Sequence, residues 1–313
     1  MLRCRTALLA LTLALALALA PAGVACSSKS DPVVAAAPDA ALAAGPPTTF
    51  GGDRPVELRV PAGYDASRPA PLLLVLHGYG AGGAINDLYM HWTSIADAKG
   101  FLYASPDGTV DKSGKRFWNA NDGCCDFDGT NVDDVGYLMS LVKDIRAAYA
   151  VDPKRIYVMG HSNGGYMTNR LACDHSETFA AAVSWAGANW SDPAKCAPTS
   201  QIGFLQMHGT KDGTVPYGPG ADGPTKVAYA GAVGTVATWA TKNGCSAQLT
   251  ATSEALHVSE GNPAADTKVS RHEGCLANGA AELWPVEGAD HLFTFTPEAA
   301  SALWKFFETH AKP

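Results

Sequence analysis

The sequence Gly-His-Ser-Asn-Gly at residues 160 to 164 constrains the fold of this 313-residue chain more than any other stretch. It follows the strand-forming residues RIYVM and passes directly into GYMTNRLA, which suits a helix. In a G-x-S-x-G turn between a strand and a helix, the glycines let the backbone bend sharply and the serine hydroxyl projects from the sheet. We therefore treat Ser162 as a candidate nucleophile, which needs a base and an acid from elsewhere in the chain.

The later part of the chain supplies both partners in the order that such a turn requires, which is serine, acid, histidine. Asp212 follows the apolar run IGFLQMHGT in the loop HGTKDGTVPY, and His291 follows ELWPV in the segment VEGADHLF. We predict that Ser162, Asp212 and His291 form a catalytic triad. The alternative acids are Asp222 and Asp290. The alternative bases are His257, His272 and His310, of which His272 is expected on an exposed strand and His310 in the last helix.

An acyl-transfer site also needs N–H groups that stabilise the oxyanion. We expect one from the backbone of Asn163, which follows the nucleophile at a helix N-terminus. The second is expected from Tyr79, in the turn HGYG after the apolar run LLLVL. We assign structural roles to three other histidines near these segments, His77, His161 and His208.

The apolar patterns along the chain alternate between strands and helices, which predicts an α/β fold. We expect a mainly parallel central sheet with helices on both faces, in a single domain over residues 50 to 313. A polar loop over residues 107 to 131 interrupts the pattern, and loops of that length usually line a functional site. The predicted strands cover 55–61, 72–76, 101–106, 156–159, 180–187, 202–210 and 280–286, and the predicted helices cover 88–99, 132–150, 226–242 and 296–310.

The first 49 residues have a different character. Residues 1 to 25 combine two early arginines with a Leu/Ala run, as a secretory signal peptide does, and a transmembrane anchor is the alternative. Cys26 follows Gly-Val-Ala in a sequence that resembles a bacterial lipobox, so lipidation of Cys26 and plain cleavage near Ala25 both stay open. Residues 26 to 49 are rich in Ala, Pro and Ser, which predicts a flexible linker. We expect a secreted protein, lipid-anchored to the bacterial envelope if Cys26 is modified.

The charge of the chain disfavours nucleic acid as a partner. The formal net charge is −7, and removing the two arginines of residues 1 to 25 leaves 21 basic against 30 acidic residues, or −9. The sequence carries no Lys/Arg run, and an acidic surface suits a neutral substrate. We expect an ester substrate, and membrane contact only through a lipid on Cys26.

Six cysteines remain after Cys4 and Cys26, and an even number in an exported chain indicates disulfides. We pair Cys173 with Cys196 and Cys245 with Cys275, and leave the adjacent Cys124 and Cys125 as a vicinal bridge or free thiols. We expect no metal and no cofactor. The cysteines lack the Cys-x-x-Cys spacing of a zinc site. A run of acidic residues could suggest a metal-dependent hydrolase, but its spacing fits no EF-hand pattern. The run consists of Asp122, Asp126, Asp128, Asp133 and Asp134.

With these segments together, the chain resembles the secreted esterases that join polyhydroxybutyrate depolymerase-like enzymes with feruloyl and acetylxylan esterases. The resemblance covers about residues 54 to 310. It implies an α/β-hydrolase with the triad named above, and it is consistent with the two disulfide pairs. The segments that carry it are PLLLVLHGYGAGG, FLYASPDG, FWNA, NVDDVGYLMSLVKDI, VDPKRIYVMGHSNGGYMTNRLAC, HGTKDGTVPY, WATKNGC and VEGADHLF.

The choice of substrate rests on the residues around the expected site. Leu292 and Phe293 follow the histidine where family members often carry a tryptophan, so the wall of the acyl pocket is expected to differ. Phe117, Trp118 and Phe127 are expected near the mouth, where they stack on substrate or pack under the loop. The first hypothesis is hydrolysis of feruloyl or acetyl esters of plant polysaccharide. The first alternative is a short-chain polyester depolymerase. Efficient attack on a crystalline polyester is not expected, because no binding domain follows the last helix. The second alternative is a non-catalytic surface-binding lipoprotein on a hydrolase scaffold.

Overall fold

The buried apolar runs of the sequence lie side by side in one ten-stranded sheet. The structure is a computed structural model that describes residues 45 to 221, 226 to 263 and 265 to 313. The signal peptide, Cys26 and most of the linker lie outside the described residues. The strands are β1 (Thr49–Phe50), β2 (Val56–Arg59), β3 (Ala70–Leu76), β4 (Leu102–Ala104), β5 (Thr109–Val110), β6 (Arg116–Phe117), β7 (Val151–His161), β8 (Ala181–Trp185), β9 (Gly203–Gly209), β10 (Leu249–Leu256), β11 (Thr267–His272) and β12 (Ala280–Val286).

Helices cover both faces of this sheet, because its central strands are apolar on both sides. In β3, Leu72 and Leu74 pack on one face while Leu73 and Val75 pack on the other, and all four are fully buried. The first face lies under α3, α4 and α5, and the second under α1, α2 and α6. The helices are α1 (Gly83–Met90), α2 (Trp92–Lys99), α3 (Asp134–Ala148), α4 (Asn163–Asp174), α5 (Gly231–Lys242) and α6 (Pro297–Thr309).

The strand order is β1-β2-β4-β3-β7-β8-β9-β12-β11-β10. The six strands from β4 to β12 run parallel, and the strands outside them on each side are antiparallel. The predicted α/β fold with a mainly parallel, doubly covered sheet is therefore confirmed. The parallel strands β3, β7, β9 and β12 all end at the same edge, so the segments that follow them meet there.

Several element boundaries differ from the sequence prediction. The single helix expected over 88–99 is two helices, since His91 takes a left-handed conformation with φ of 60° between α1 and α2. The strand β7 begins at Val151, ahead of the predicted 156, and α5 begins at Gly231, after the predicted 226. β1 starts inside the predicted linker, where Leu58 donates a hydrogen bond to the carbonyl of Thr48 at 2.7 Å. The loop over 107 to 131 contains the small hairpin β5 and β6.

Candidate active site

Ser162 lies in the turn between β7 and α4 in a conformation that few non-glycine residues adopt. Its φ is 55° and its ψ is −119°. Such backbone geometry costs on the order of 1–3 kcal/mol and occurs mainly at functional sites. The Ser162 N–H donates to the carbonyl of Trp185 on β8 at 2.8 Å, which ties the turn to the sheet. The side chain is partly exposed, as an attacking hydroxyl has to be.

The two glycines of the motif are required by close backbone contacts. A Cβ on Gly160 would lie 2.2 Å from the carbonyl oxygen of Gly164. A Cβ on Gly164 would lie 2.2 Å from the carbonyl oxygen of Leu76 at the end of β3. Both distances are far inside van der Waals contact, so α4 can approach the sheet this closely only with glycine at both positions. The motif in this chain therefore builds the strand–turn–helix that its spacing predicts.

Asp212 and His291 are hydrogen-bonded to each other at the same edge of the sheet. Asp212 follows β9 and His291 follows β12, and these two strands are parallel neighbours. His291 Nδ1 lies 2.7 Å from Asp212 Oδ2. Asp212 Oδ1 accepts from the backbone N–H groups of Thr214 and Val215, both at 2.8 Å. The carboxylate thus holds His291 with Nδ1 as the donor, which leaves Nε2 to accept a proton.

The surroundings of Asp212 keep it ionised. Burial alone would raise the pKa of this carboxyl, but hydrogen bonds from His208 and His291 outweigh burial and hold its pKa well below the usual range. Because the charged carboxylate is buried, it stabilises an imidazolium on His291 more strongly than an exposed carboxylate would. This is the property that a triad acid needs.

His208 is a second imidazole on the same carboxylate, and the sequence prediction gave it only a general structural role. Its Nε2 lies 2.8 Å from the carbonyl oxygen of Val215 and 3.2 Å from Asp212 Oδ2. Its Nδ1 lies 3.1 Å from Gln206 Nε2. An imidazole with its proton on Nε2 can donate to both oxygens while Nδ1 accepts from Gln206. The four-residue separation of His208 and Asp212 across the end of β9 was the available sequence signal.

His161 connects the serine turn to His291. Its ring centroid is 4.8 Å from that of His291, and its Nε2 lies 2.8 Å from the His291 carbonyl oxygen. Since His161 directly precedes Ser162, this contact joins the nucleophile turn to the loop that carries His291. The structural role expected for His161 therefore consists of holding the loop that carries His291.

The burial of His161 predicts a pH dependence of stability. Burial, with a smaller contribution from nearby His291, lowers the pKa of His161 from 6.5 to about 3. Between pH 6.5 and about 3, His161 is therefore protonated in the unfolded chain and neutral in the folded chain. As the pH decreases from 6.5 to about 3, we expect His161 to lower the free energy of unfolding by up to about 1.4 kcal/mol per pH unit. The variant His161→Gln should reduce this slope, because glutamine does not bind that proton.

Chemical denaturation at several pH values measures this slope. The matched control is His175→Gln, at a histidine that is only partly buried in the loop after α4, and we expect it to reduce the slope less than His161→Gln does. An unchanged slope in His161→Gln would show that another group controls the acid sensitivity.

The two predicted oxyanion donors lie beside Ser162. Asn163 is the first residue of α4, where backbone N–H groups have no partner inside the helix. Tyr79 follows Gly78, and a Cβ on Gly78 would lie 3.3 Å from the Cβ of Ser162. The hydrogen bonds found among the described residues leave both N–H groups without an acceptor. His77 fixes this turn, because Gly108 N–H donates to its Nε2 at 2.8 Å.

Phe117 and Trp118 do not line the substrate side of the site, and they pack under the loop, which is the other arrangement that the sequence left open. Both side chains are completely buried. Trp118 Nε1 donates to the carbonyl of His77 at 3.1 Å, and the Trp118 backbone exchanges two hydrogen bonds with the Asn163 side chain, at 2.7 and 2.9 Å. Their apolar character serves to anchor the long loop under the nucleophile turn. Phe127 is 39% exposed and packs edge-to-face on Tyr79.

Leu292 and Phe293, also expected in the pocket, differ in exposure. The side chain of Leu292 is 57% exposed directly after His291. Phe293 is buried, and its ring centroid lies 4.7 Å from that of Trp185. Only Leu292 of this pair is therefore open to a ligand in this structure, because Phe293 belongs to the core beneath the loop.

The alternative acids and bases have other partners. Asp290 Oδ1 accepts from the backbone N–H groups of Gly213 and His291, and Asp222 lies outside the described residues. Each alternative histidine contacts a backbone carbonyl away from Ser162, and His272 is buried on β11 where an exposed strand was expected. These contacts are His257 to Asn262, His272 to Ser246 and His310 to Phe306.

The aspartates of the acidic run after the hairpin stabilise the loop and the start of α3. Asp126 accepts from the backbone N–H groups of Thr130 and Asn131, and Asp133 caps α3 through the N–H of Gly136. Asp134 pairs with Arg54 at 2.5 Å. In the part of the chain that the structure describes, no group of three His, Cys, Asp or Glu side chains is placed to hold a metal ion.

Six cysteines form three disulfides among the described residues. They are Cys173–Cys196, Cys245–Cys275 and the vicinal pair Cys124–Cys125. The vicinal pair lies against the nucleophile turn, since Asn163 Nδ2 is 3.5 Å from Cys124 Sγ. Within the same residues, no helix is both long and apolar enough to cross a membrane.

Comparison with known proteins relates the chain to α/β-hydrolases. The prolyl oligopeptidase family model matches residues 88–191. Feruloyl esterase B of Piromyces equi is 29% identical over 244 residues, which cover 76% of this chain and 42% of that protein. Poly(3-hydroxybutyrate) depolymerase of Ralstonia pickettii is 32% identical over 142 residues, which cover 43% of this chain and 28% of that protein. The chain thus spans less than half the length of these two relatives.

A solved structure supports the fold assignment over most of the chain. An acetyl xylan esterase from Aspergillus awamori superposes with a TM-score of 0.57 at 16% identity, covering 82% of this chain and 94% of that one. At that identity the likeness concerns the fold alone.

Proposed function

We propose that this chain, a member of the α/β-hydrolase superfamily with feruloyl esterase and poly(3-hydroxybutyrate) depolymerase relatives, hydrolyses carboxylic esters through an acyl-enzyme on Ser162. The observation that carries the proposal is the convergence at one sheet edge of a serine with φ of 55° and a hydrogen-bonded Asp212–His291 pair. A serine hydroxyl with an oriented imidazole base is the minimum set for acyl transfer.

In this mechanism His291 Nε2 takes the proton of Ser162 as Oγ attacks the ester carbonyl carbon. The negative charge that develops on the carbonyl oxygen is stabilised by the N–H groups of Tyr79 and Asn163. His291 then gives the proton to the departing alcohol, which leaves the acyl group on Ser162. Water, deprotonated by the same imidazole, attacks the acyl-enzyme and releases the acid. Asp212 stabilises the imidazolium in both half-reactions.

For the substrate, we propose feruloyl or acetyl esters of plant polysaccharide. The names of two relatives, Feruloyl esterase B and a bifunctional acetylxylan esterase/xylanase of Neocallimastix patriciarum, support this class as statements about those proteins. A short-chain polyester is the second candidate, since a poly(3-hydroxybutyrate) depolymerase is among the relatives and the exposed Leu292 next to His291 offers an apolar contact.

We also propose that the protein acts outside the cell. The three disulfides support this location, because disulfides persist in oxidising compartments. The same proposal includes a signal peptide over residues 1 to 25, a linker over 26 to 49 and a catalytic domain over 50 to 313. It leaves two alternatives at the cleavage site, lipidation of Cys26 and plain cleavage near Ala25.

A substrate panel tests the proposed activity. We expect the full-length chain to hydrolyse p-nitrophenyl acetate, methyl ferulate and acetylated xylan, and to leave a prolyl peptide p-nitroanilide intact. Excess chelator should have no effect on these rates. Cleavage of the anilide without cleavage of any ester would contradict the proposal. If the protein hydrolyses 3-hydroxybutyrate oligomers but none of the other esters, the substrate is the polyester and not the polysaccharide esters.

A further inference from the structure

A polar cleft opens beside the vicinal disulfide that lies against the nucleophile turn. It encloses about 720 Å³ between the loop after the hairpin, the exposed side of α4 and the segment after β8. Cys124 lines it, and the Sγ of Cys124 is 3.5 Å from Asn163 Nδ2, so one end of the cleft is one residue removed from Ser162. None of the residues proposed for catalysis lines this cleft.

The C-terminal part of α4 lines the cleft. Arg170 and Asp174 line it and lie eight and twelve residues after Ser162. At a rise of 1.5 Å per residue, these positions are about 12 and 18 Å from the serine along the helix axis. A ligand that reaches both this part of the cleft and Ser162 must therefore continue well beyond the ester group.

The groups along the cleft suit a neutral polyol. The partly buried indole of Trp190 supplies an apolar surface, and amphipathic aromatic side chains are suited to such partly wet contacts. Arg170 Nε is 3.1 Å from Asp174 Oδ2, and Lys195 Nζ is 2.5 Å from Asp122 Oδ2, so ionic donors and acceptors are already in fixed positions. Asn121 uses its Oδ1 for the N–H groups of Gly123 and Cys124, which leaves its Nδ2 as a donor.

The charge of the cleft argues against an anionic ligand. Four aspartates and two basic side chains line it, a formal balance of −2. A phosphate or polyuronate would meet net repulsion there, whereas sugar hydroxyls can donate to the carboxylates and accept from Arg170, Lys195 and Asn121.

From this arrangement we infer that the cleft lined by Asn121, Asp122, Arg170, Asp174, Trp190 and Lys195 binds the neutral sugar chain that carries the ester. This inference rests on the proposed ester hydrolysis at Ser162 and assigns the saccharide part of the substrate to a separate surface. The vicinal disulfide then forms the wall between the sugar subsites and the acyl site.

Kinetics with two substrates tests the inference. We expect Trp190→Ala and Asp174→Ala each to lower the ratio of kcat/KM for acetylated xylo-oligosaccharides to kcat/KM for p-nitrophenyl acetate by about tenfold, mainly through KM. Trp190→Phe keeps an aromatic surface and should retain most of the wild-type ratio. An unchanged ratio in both alanine variants would overturn the assignment of the cleft.

A binding measurement separates this inference from the proposed activity. Unesterified xylo-oligosaccharide should bind the full-length Ser162→Ala protein, as followed by tryptophan fluorescence, and Asp174→Ala added to that variant should weaken binding. Sugar binding without ester hydrolysis by the wild type would overturn the esterase proposal and leave the cleft. Ester hydrolysis by the wild type without sugar binding would overturn the cleft and leave the esterase proposal.

Discussion

Replacing Ser162 with alanine is expected to lower kcat/KM for p-nitrophenyl acetate by at least about 10⁴-fold, because we propose that the acyl-enzyme forms on its hydroxyl. The variant should remain folded, since the hydroxyl of Ser162 accepts and donates no hydrogen bond among the described residues and its backbone N–H contact to Trp185 is retained. Ser162→Gly should be equally inactive and at least as stable, because glycine adopts a φ of 55° without strain.

Initial rates together with thermal unfolding by circular dichroism measure both parts of this prediction. Ser184→Ala is the matched control, at a buried serine on the neighbouring strand β8 that takes no part in the proposed mechanism. It should keep its rate within about threefold of the wild type, as expected for a change that leaves the triad in place. Substantial activity in a folded Ser162→Ala protein would mean that the nucleophile is elsewhere.

Asp212→Asn is expected to lower kcat by on the order of 10³- to 10⁴-fold. The amide can still accept the N–H groups of Thr214 and Val215 through Oδ1, so the loop should keep its position. The position of Oδ2, however, becomes the amide NH2 group, which donates and cannot accept from His291 Nδ1 or His208 Nε2. His291 then loses the carboxylate that orients it and stabilises its protonated form.

The matched control for this change is Asp290→Asn, in the same pair of loops. Its Oδ1 accepts only the backbone N–H groups of Gly213 and His291, which an asparagine oxygen also accepts, so a loss below about threefold is expected. Steady-state kinetics of the two variants decides the comparison. A larger loss in Asp290→Asn than in Asp212→Asn would show that Asp290 is the acid.

The sequence was sufficient to predict the parts of the site that depend on local geometry and chain order. The glycines at 160 and 164 are needed wherever a helix starts this close to a sheet, and the contacts at 2.2 Å show why. Asp212 and His291 could be located because both follow apolar strands, and parallel strands present their carboxyl ends at one edge. The central sheet was predictable for the same reason, since doubly buried strands such as β3 are continuous apolar runs.

The parts that the sequence did not predict depend on tertiary contacts. Strand β10 at the sheet edge was missed, since it is mostly exposed and lacks an alternating pattern. The strand expected around His272 corresponds to β11, but His272 is buried there. For Phe117 and Trp118 the sequence left two roles open, stacking on substrate and packing under the loop, because aromatic residues in a polar loop suit both. Their complete burial follows from hydrogen bonds of the Trp118 backbone and indole to Asn163 and His77, which no sequence period reveals.

His208 shows the same limit at a single residue. Its separation from Asp212 was visible, but a histidine four residues before an aspartate has many possible arrangements. The approach of its Nε2 to 3.2 Å from Asp212 Oδ2 depends on the turn after β9, which also brings Val215 to the same nitrogen. The site therefore contains two imidazoles on one carboxylate, and only one of them was predicted to act there.

Covalent trapping of the nucleophile tests the central claim most directly. The folded protein is treated with a fluorophosphonate, digested and sequenced by peptide mass spectrometry, while residual activity on p-nitrophenyl acetate is followed in parallel. We predict one phosphonate per chain, on Ser162, and loss of activity in proportion to labelling, with no label on the Ser162→Ala protein. A label on another residue that accompanies inactivation, or full activity after complete labelling of Ser162, would contradict the account.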